Sequence, residues 1–144
     1  MDVRTSTRLR RDPAAVPAAR AFVDHALRSA GVTPEVADSL VQAVAEACNN
    51  AILHAAGTTF TVSVDVAEGV CTLTVSDVGR GFVPPEHARM PSPLAVDHRG
   101  LALMEALVDH VVVSSTPDGT TVVLVHDAPT ASPLAHAKRV GSER

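Results

Sequence analysis

Strict alternation of apolar and polar residues is the sequence feature that most restricts how this chain can fold. Apolar residues recur at every second position over 60–66, and the same period returns over 70–76. A period of two indicates strands with one buried face, and the intervening Glu68-Gly69 indicates a tight turn. The segment therefore predicts a β-hairpin that lays one face on a core.

Two segments ahead of this hairpin have a helical period instead. The first runs over 17–31 and ends at a glycine. The second begins with Thr33 as N-cap and Pro34 at the first helical position, and its pattern lasts until Gly57. A weaker alternation over 4–11 predicts an edge strand before both helices.

The rest of the chain predicts a loop, a helix and a second hairpin. Residues 78–99 lack periodicity and contain glycine and proline clusters, which is typical of a functional lid. A helical pattern begins at Gly100, and strands over 110–115 and 120–126 flank a Pro-Asp-Gly turn. Because the strands come in hairpin pairs, we expect an α+β two-layer sandwich, with helices on one face of a mixed, mainly antiparallel sheet.

Length and composition limit the possible functions. A chain of 144 residues is the size of one domain, which we assign to 1–126, followed by a frayed, flexible tail over 127–144. Cys48 and Cys71 lie in separate apolar patterns without metal-ligand spacing, so both are expected in the core.

Charge and hydropathy indicate which partners to exclude. The net charge is −4 with a single lysine, and Trp and Tyr are absent, so direct binding to nucleic acid is not expected. No apolar stretch approaches the ~20 residues of a membrane span, so we expect no membrane partner and a cytoplasmic location.

Polar residues along the second helix form the first candidate for a site. Glu46, Asn50 and His54 are spaced four apart and therefore share one stripe of the helix. Such a stripe is typical either of a solvent-facing surface or of a ligand site. The helix alone leaves both interpretations open.

Two glycine-containing segments add further candidates. Asp77 directly follows a predicted strand and precedes Gly79 and Gly81, which would let a ligand approach the backbone. Gly100 stands at the start of a helix, where the backbone and the helix dipole can hold phosphate. An Asp-capped glycine turn and an ordinary helix start are the alternatives.

Taken in this order, the segments resemble the N, G1 and G2 boxes of the GHKL ATPases, and most closely those of bacterial anti-sigma serine/threonine kinases. The resemblance spans about 14–126. It is carried by E-A-C-N-N-A-I-L-H at 46–54, D-V-G-R-G-F at 77–82, R-G-L-A-L-M at 99–104 and G-T-T-V at 119–122. It implies the Bergerat ATP-binding fold, with ATP and Mg²⁺ as cofactors.

The resemblance also implies roles on the helix and the lid. Asn50 would be the metal ligand for Mg²⁺, and Glu46 would accept the proton of an attacking hydroxyl as the catalytic base. Arg99 would neutralise charge on the transferred phosphoryl group, with a solvated loop arginine as the alternative. Gly100 and Leu101 would bind the phosphates.

Recognition of adenine is implied for the strands. Asp77 would accept a hydrogen bond from the adenine amino group, and Gly79 and Gly81 would pass close to the base and sugar. Thr120 or Thr121 would stand near adenine, and because strand residues alternate between faces, only one of them can do so. Thr120 is favoured.

Three functions follow from the resemblance. The first is an anti-sigma factor that phosphorylates a serine or threonine of an anti-anti-sigma protein, with a sigma factor as a second partner. The second is a module whose partner affinity is set by ATP without phosphoryl transfer. The third, a fragment of a histidine kinase, lacks room for a phosphoacceptor hairpin before residue 14. Homodimerisation would be typical of the family, and Arg20 with the Arg-rich strand would suit either an acidic partner or protection of a sheet edge.

Overall fold

A computed structural model describes residues 2–55, 57–78 and 98–130 of the chain. Its elements are β1 (Val3–Arg10), α1 (Ala15–Ser29), α2 (Pro34–His54), β2 (Thr59–Ala67), β3 (Val70–Val78), α3 (His98–Leu107), β4 (His110–Thr116) and β5 (Gly119–Asp127). The strands form one sheet in the order β1-β2-β3-β5-β4. The predicted α+β sandwich is confirmed, but the sheet is not mixed, because every pair of neighbouring strands in the described residues is antiparallel.

The core lies between the helices and one face of this sheet. Alternate residues of β2 are buried along the whole strand, as the period of two predicts. Helix α2 packs against α1, α3, β3 and β5, so it is central to the helical layer. Cys48 and Cys71 are free and buried in this core, where burial raises the pKa of the Cys48 thiol to about 12. Their predicted packing role is confirmed.

The helix boundaries differ modestly from the predicted ones. Helix α1 begins at Ala15, so Pro17 lies within its first turn, where a missing N–H has no cost. The chain forms a turn before helix α1, in which Asp12 Oδ1 accepts a hydrogen bond from the Ala14 N–H at 2.7 Å. Helix α2 begins at Pro34 with Thr33 as N-cap, as predicted, and ends at His54.

Two other boundaries change the setting of candidate site residues. Strand β3 continues to Val78, so Asp77 lies within the strand and not beyond its end. Helix α3 begins at His98, so Gly100 lies inside its first turn and not ahead of it. Most of the predicted lid, residues 79–97, lies outside the described residues.

The carboxyl-terminal end of the described chain stays attached to the domain. Asp127 belongs to β5, and Ala128 is fully buried. Thr130 forms an isolated antiparallel bridge with Val32, and the Thr33 N–H donates to the Pro129 carbonyl at 3.3 Å. The predicted tail therefore does not begin at residue 127, and residues 131–144 lie outside the described part.

The turn between β2 and β3 offers a test of the fold. Glu68 and Gly69 both have positive φ, 55° and 77°, a conformation that suits the tight turn but strains a glutamate. Because asparagine tolerates positive φ better, Glu68→Asn is expected to raise the free energy of unfolding by about 0.5–1 kcal/mol, or the melting temperature by about 2–4 °C. Glu68→Gln removes the same charge without that preference and should change stability little. Equal gains in both variants would assign the effect to charge.

Candidate functional site

The polar stripe of α2 divides into a buried and an exposed part. Asn50 is 3% exposed, Glu46 is half-buried and His54 is exposed. The Asn50 Nδ2 donates a hydrogen bond to the Glu46 carbonyl oxygen at 3.1 Å, which directs the amide nitrogen back along its own helix. A purely solvent-facing stripe is therefore wrong for Asn50, and its amide is held in one orientation.

Asp77 lies in a row of paired residues that crosses the whole sheet. In this row Leu9 pairs with Phe60, Phe60 with Asp77, Asp77 with Thr120, and Thr120 with Ser115. Phe60 is buried on the helix-covered face, and paired residues point to the same face. The Asp77 carboxyl is thus directed to the helical side of the sheet and is 9% exposed.

The electrostatics of Asp77 result from opposing effects. Burial raises the pKa of its carboxyl, because the charged form loses water. A hydrogen bond from the Thr120 N–H to Oδ1, at 3.3 Å, lowers the pKa, and so does the positive charge of Arg11. Burial is the largest of these effects, so the pKa stays above its ordinary value.

The two candidate threonines of β5 point to opposite faces. Thr120 shares the face of Asp77, and its hydroxyl lies 2.8 Å from the Ser115 hydroxyl. Thr121 pairs with Ser76 on the other face, with 3.3 Å between their hydroxyl oxygens. Thr120 is therefore the one on the side of Asp77, and its contact with adenine stays a prediction.

The first turn of α3 contains the remaining described candidates. Arg99 is exposed, Gly100 is buried, and Leu101 packs partly buried against the core. The positive end of a helix dipole favours an anion at this turn. Since the Leu101 side chain faces the core, a phosphate would have to use its backbone.

Two parts of the predicted site lie beyond this geometry. Gly79 and Gly81 fall outside the described residues. Within the described ranges, no group of three or more His, Cys, Asp or Glu side chains could hold a metal ion, so the Mg²⁺ prediction depends on the Asn50 amide and the phosphates. A cavity of about 410 Å³ is lined by other residues, namely Arg10, Arg11, Gly57, Thr58 and Thr59.

Two residues that touch or influence the candidate site residues were not among the sequence candidates. Ser115 on β4 contacts Thr120 through its hydroxyl, a contact that depends on strand register. Arg11 contacts the end of α2 and acts on Asp77, although the sequence grouped it only with an arginine-rich strand. A signal was present, because Arg11 directly follows Arg10 and so breaks the alternate spacing of arginines along β1.

The fold agrees with comparison to known families. The model of the histidine kinase-like ATPase domain matches residues 9–126. This chain belongs to that family.

Individual proteins similar to this chain include anti-sigma F factors. The chain is 37% identical over 90 residues to an anti-sigma F factor of Pasteuria penetrans, covering 56% of this chain and 60% of that protein. It is 37% identical over 91 residues to an anti-sigma F factor of Geobacillus stearothermophilus, covering 56% of this chain and 62% of that protein. The matched region is thus less than two thirds of the length of these relatives.

A solved structure supports the fold independently. The RsbU and RsbW domains of Rv1364c from Mycobacterium tuberculosis superpose with a TM-score of 0.69 at 24% identity, over 89% of this chain and 34% of that one. Within the described residues, no helix is long and apolar enough to span a membrane.

Proposed function

We propose that this chain is a cytoplasmic, ATP-binding anti-sigma regulatory factor that phosphorylates a serine or threonine of an anti-anti-sigma protein with Mg-ATP. The relatives named anti-sigma F factor support the regulatory part of this proposal. The family of ATPase domains supports the nucleotide.

One observation carries the nucleotide site. Of the residues that the structure describes, only Asn50 and Asp77 are buried polar side chains, and both belong to the predicted site. Burying polar groups costs free energy, so two of them in a small core, one on α2 and one on β3, suggest a ligand that uses them. They fit Mg-ATP chemically, since an amide oxygen suits Mg²⁺ and a carboxylate suits an amino group.

The proposed reaction assigns a step to each side chain. When bound, Mg-ATP would supply the phosphoryl group, and the metal ion would neutralise part of its charge. The Glu46 carboxylate would take the proton of the partner's hydroxyl as that oxygen bonds to the γ-phosphorus and the bond from phosphorus to ADP breaks. Arg99 stabilises the negative charge that develops on the transferred group.

The experiment that tests the proposal uses the native cytoplasm. The chain is used to capture partners with and without Mg-ATP, and each captured protein is weighed intact. A partner that gains one phosphate and then dissociates supports the kinase. If no partner gains phosphate, transfer is rejected, and a partner held or released by ATP without a mass change favours the ATP-dependent interaction module.

Metal binding can be tested separately on α2. Asn50→Ala is expected to weaken ATP binding about tenfold when Mg²⁺ is present and much less when Mg²⁺ is chelated, because only the metal-dependent part uses the amide oxygen. Isothermal titration with and without a chelator measures both values. Asn49→Ala is the matched control, since Asn49 is the exposed neighbour on the same helix. Equal losses in both buffers would contradict a role in metal binding.

A further inference from the structure

Arg11 joins the end of β1 to the end of α2. Its backbone N–H continues the sheet by donating to the Thr58 carbonyl at 2.8 Å. Its partly buried side chain donates twice more, from Nη1 to the Ile52 carbonyl and from Nε to the Gly57 carbonyl, each at 2.7 Å. A single residue thus holds the strand, the helix end and the following loop together.

These bonds have a specific effect on α2. The Ile52 carbonyl is among the last four of the helix, which have no N–H donor further along the helix. A guanidinium at this position satisfies the carbonyl and also interacts favourably with the negative end of the helix dipole. Asn50 lies only two residues earlier, so the same bonds fix the part of the helix that carries the predicted metal ligand.

The charge of Arg11 also reaches the other buried polar residue. Its positive charge lowers the pKa of Asp77, which burial raises. The paired neighbours of Asp77 on β2 and β5, Phe60 and Thr120, carry no charge. Glu46, Cys48 and His54 are the titratable groups on the carboxyl-terminal half of α2, and within the described residues Arg11 is the charged group that shifts the pKa of Asp77.

We propose that Arg11 is a positioning residue of the nucleotide site, which holds in place the end of α2 that carries Asn50 and acts on Asp77 through its charge. The inference rests on the proposed ATP-binding function. Arg11 acts through α2 and Asp77 and needs no contact with the nucleotide. It couples the two buried polar residues, which lie on separate elements of the fold.

Two substitutions separate the two actions of Arg11. Arg11→Gln removes both the charge and the guanidinium N–H groups that donate to two carbonyls. Arg11→Lys keeps the charge but loses this pair of donors. Arg8→Gln is the matched control, because Arg8 is an exposed arginine on the opposite face of β1. Each variant is titrated with ATP between pH 5 and pH 8, and the carboxyl ¹³C shift of Asp77 is followed by NMR without nucleotide.

In Arg11→Gln, we expect ATP affinity to fall about tenfold at neutral pH, as for residues that act through another group. The NMR midpoint of Asp77 should move to higher pH, and ATP binding should be lost at a correspondingly higher pH. In Arg11→Lys, the midpoint should stay near that of the unmodified chain while affinity falls. Arg8→Gln should change neither quantity.

Three outcomes would overturn this role. An unchanged Asp77 midpoint in folded Arg11→Gln refutes the electrostatic action, and this readout holds even if the unmodified chain does not bind ATP. Full ATP affinity in Arg11→Lys refutes the anchoring of α2 by Arg11. If Arg11→Gln does not fold, the Arg11→Lys variant alone tests the anchoring. A lower melting temperature with unchanged affinity and midpoint makes Arg11 a helix cap only. Failure of the unmodified chain to bind ATP instead rejects the proposed function.

Discussion

Glu46→Gln is expected to slow phosphoryl transfer to the partner by about 10²- to 10⁴-fold, the usual contribution of a general base. The amide has nearly the same shape as the carboxylate but cannot accept the proton of the hydroxyl. Affinity for ATP should change little, because the Asn50 amide donates to the Glu46 backbone carbonyl, which the substitution keeps. Transfer is measured from the mass of the partner, and binding by titration with ATP.

The matched control for this prediction is Glu35→Gln. Glu35→Gln is the same chemical change at an exposed position in the first turn of α2. Transfer at the unmodified rate in Glu46→Gln would remove Glu46 as the base. The interaction module would be favoured by two results together. The partner gains no phosphate even with the unmodified chain, and Glu46→Gln still regulates the partner.

Asp77→Asn is expected to weaken ATP binding by about 10- to 100-fold, which corresponds to about 1.4–2.7 kcal/mol. The Thr120 N–H binds Oδ1 of Asp77. In the variant, the single amide oxygen keeps that bond and the NH₂ group takes the other position, where it opposes the adenine amino group as donor against donor. Discrimination against GTP should fall, because the carbonyl oxygen O6 of guanine can accept from an NH₂ group.

The same substitution has the opposite effect on stability. A raised pKa means that the folded state favours the protonated carboxyl of Asp77. This contribution is fully present below the unfolded pKa of about 3.9 and is lost as pH rises through the folded pKa. At neutral pH, burial of the carboxylate therefore opposes folding, and Asp77→Asn should match or exceed the unmodified chain in thermal stability.

Thermal unfolding between pH 4 and pH 7 checks the sign of this effect. The melting temperature of Asp77→Asn relative to the unmodified chain should increase as pH rises. Asp118→Asn, at an exposed turn position, should show no such trend. A variant that binds ATP normally, or that is less stable at pH 7 than at pH 4 relative to the unmodified chain, would contradict the assignment of Asp77.

The elements of the fold were largely predictable, because they depend on local periodicity. Alternation over 60–76 predicts the β2–β3 hairpin, and the Thr33-Pro34 pair predicts the start of α2, where the structure has it. The predicted boundaries beside Asp77 and Gly100 were wrong, since strand and helix ends depend on the elements that pair and pack with them. Asp77 remains in β3 because β2 and β5 pair with it on both sides.

Sequence alone determined which residue types and faces this protein has: a hairpin with one apolar face, an amphipathic α2 and the boxes that the family shares. Only the tertiary structure decided that β5 lies beside β3, which brings the Thr120 N–H to Asp77, and that Arg11 reaches carbonyls 41 and 46 positions away. The physical reason is the separation along the chain of the residues that interact. Periodicity reports contacts between near neighbours in the chain, whereas buried charges and strand order depend on surfaces that meet only after the sheet and helices pack.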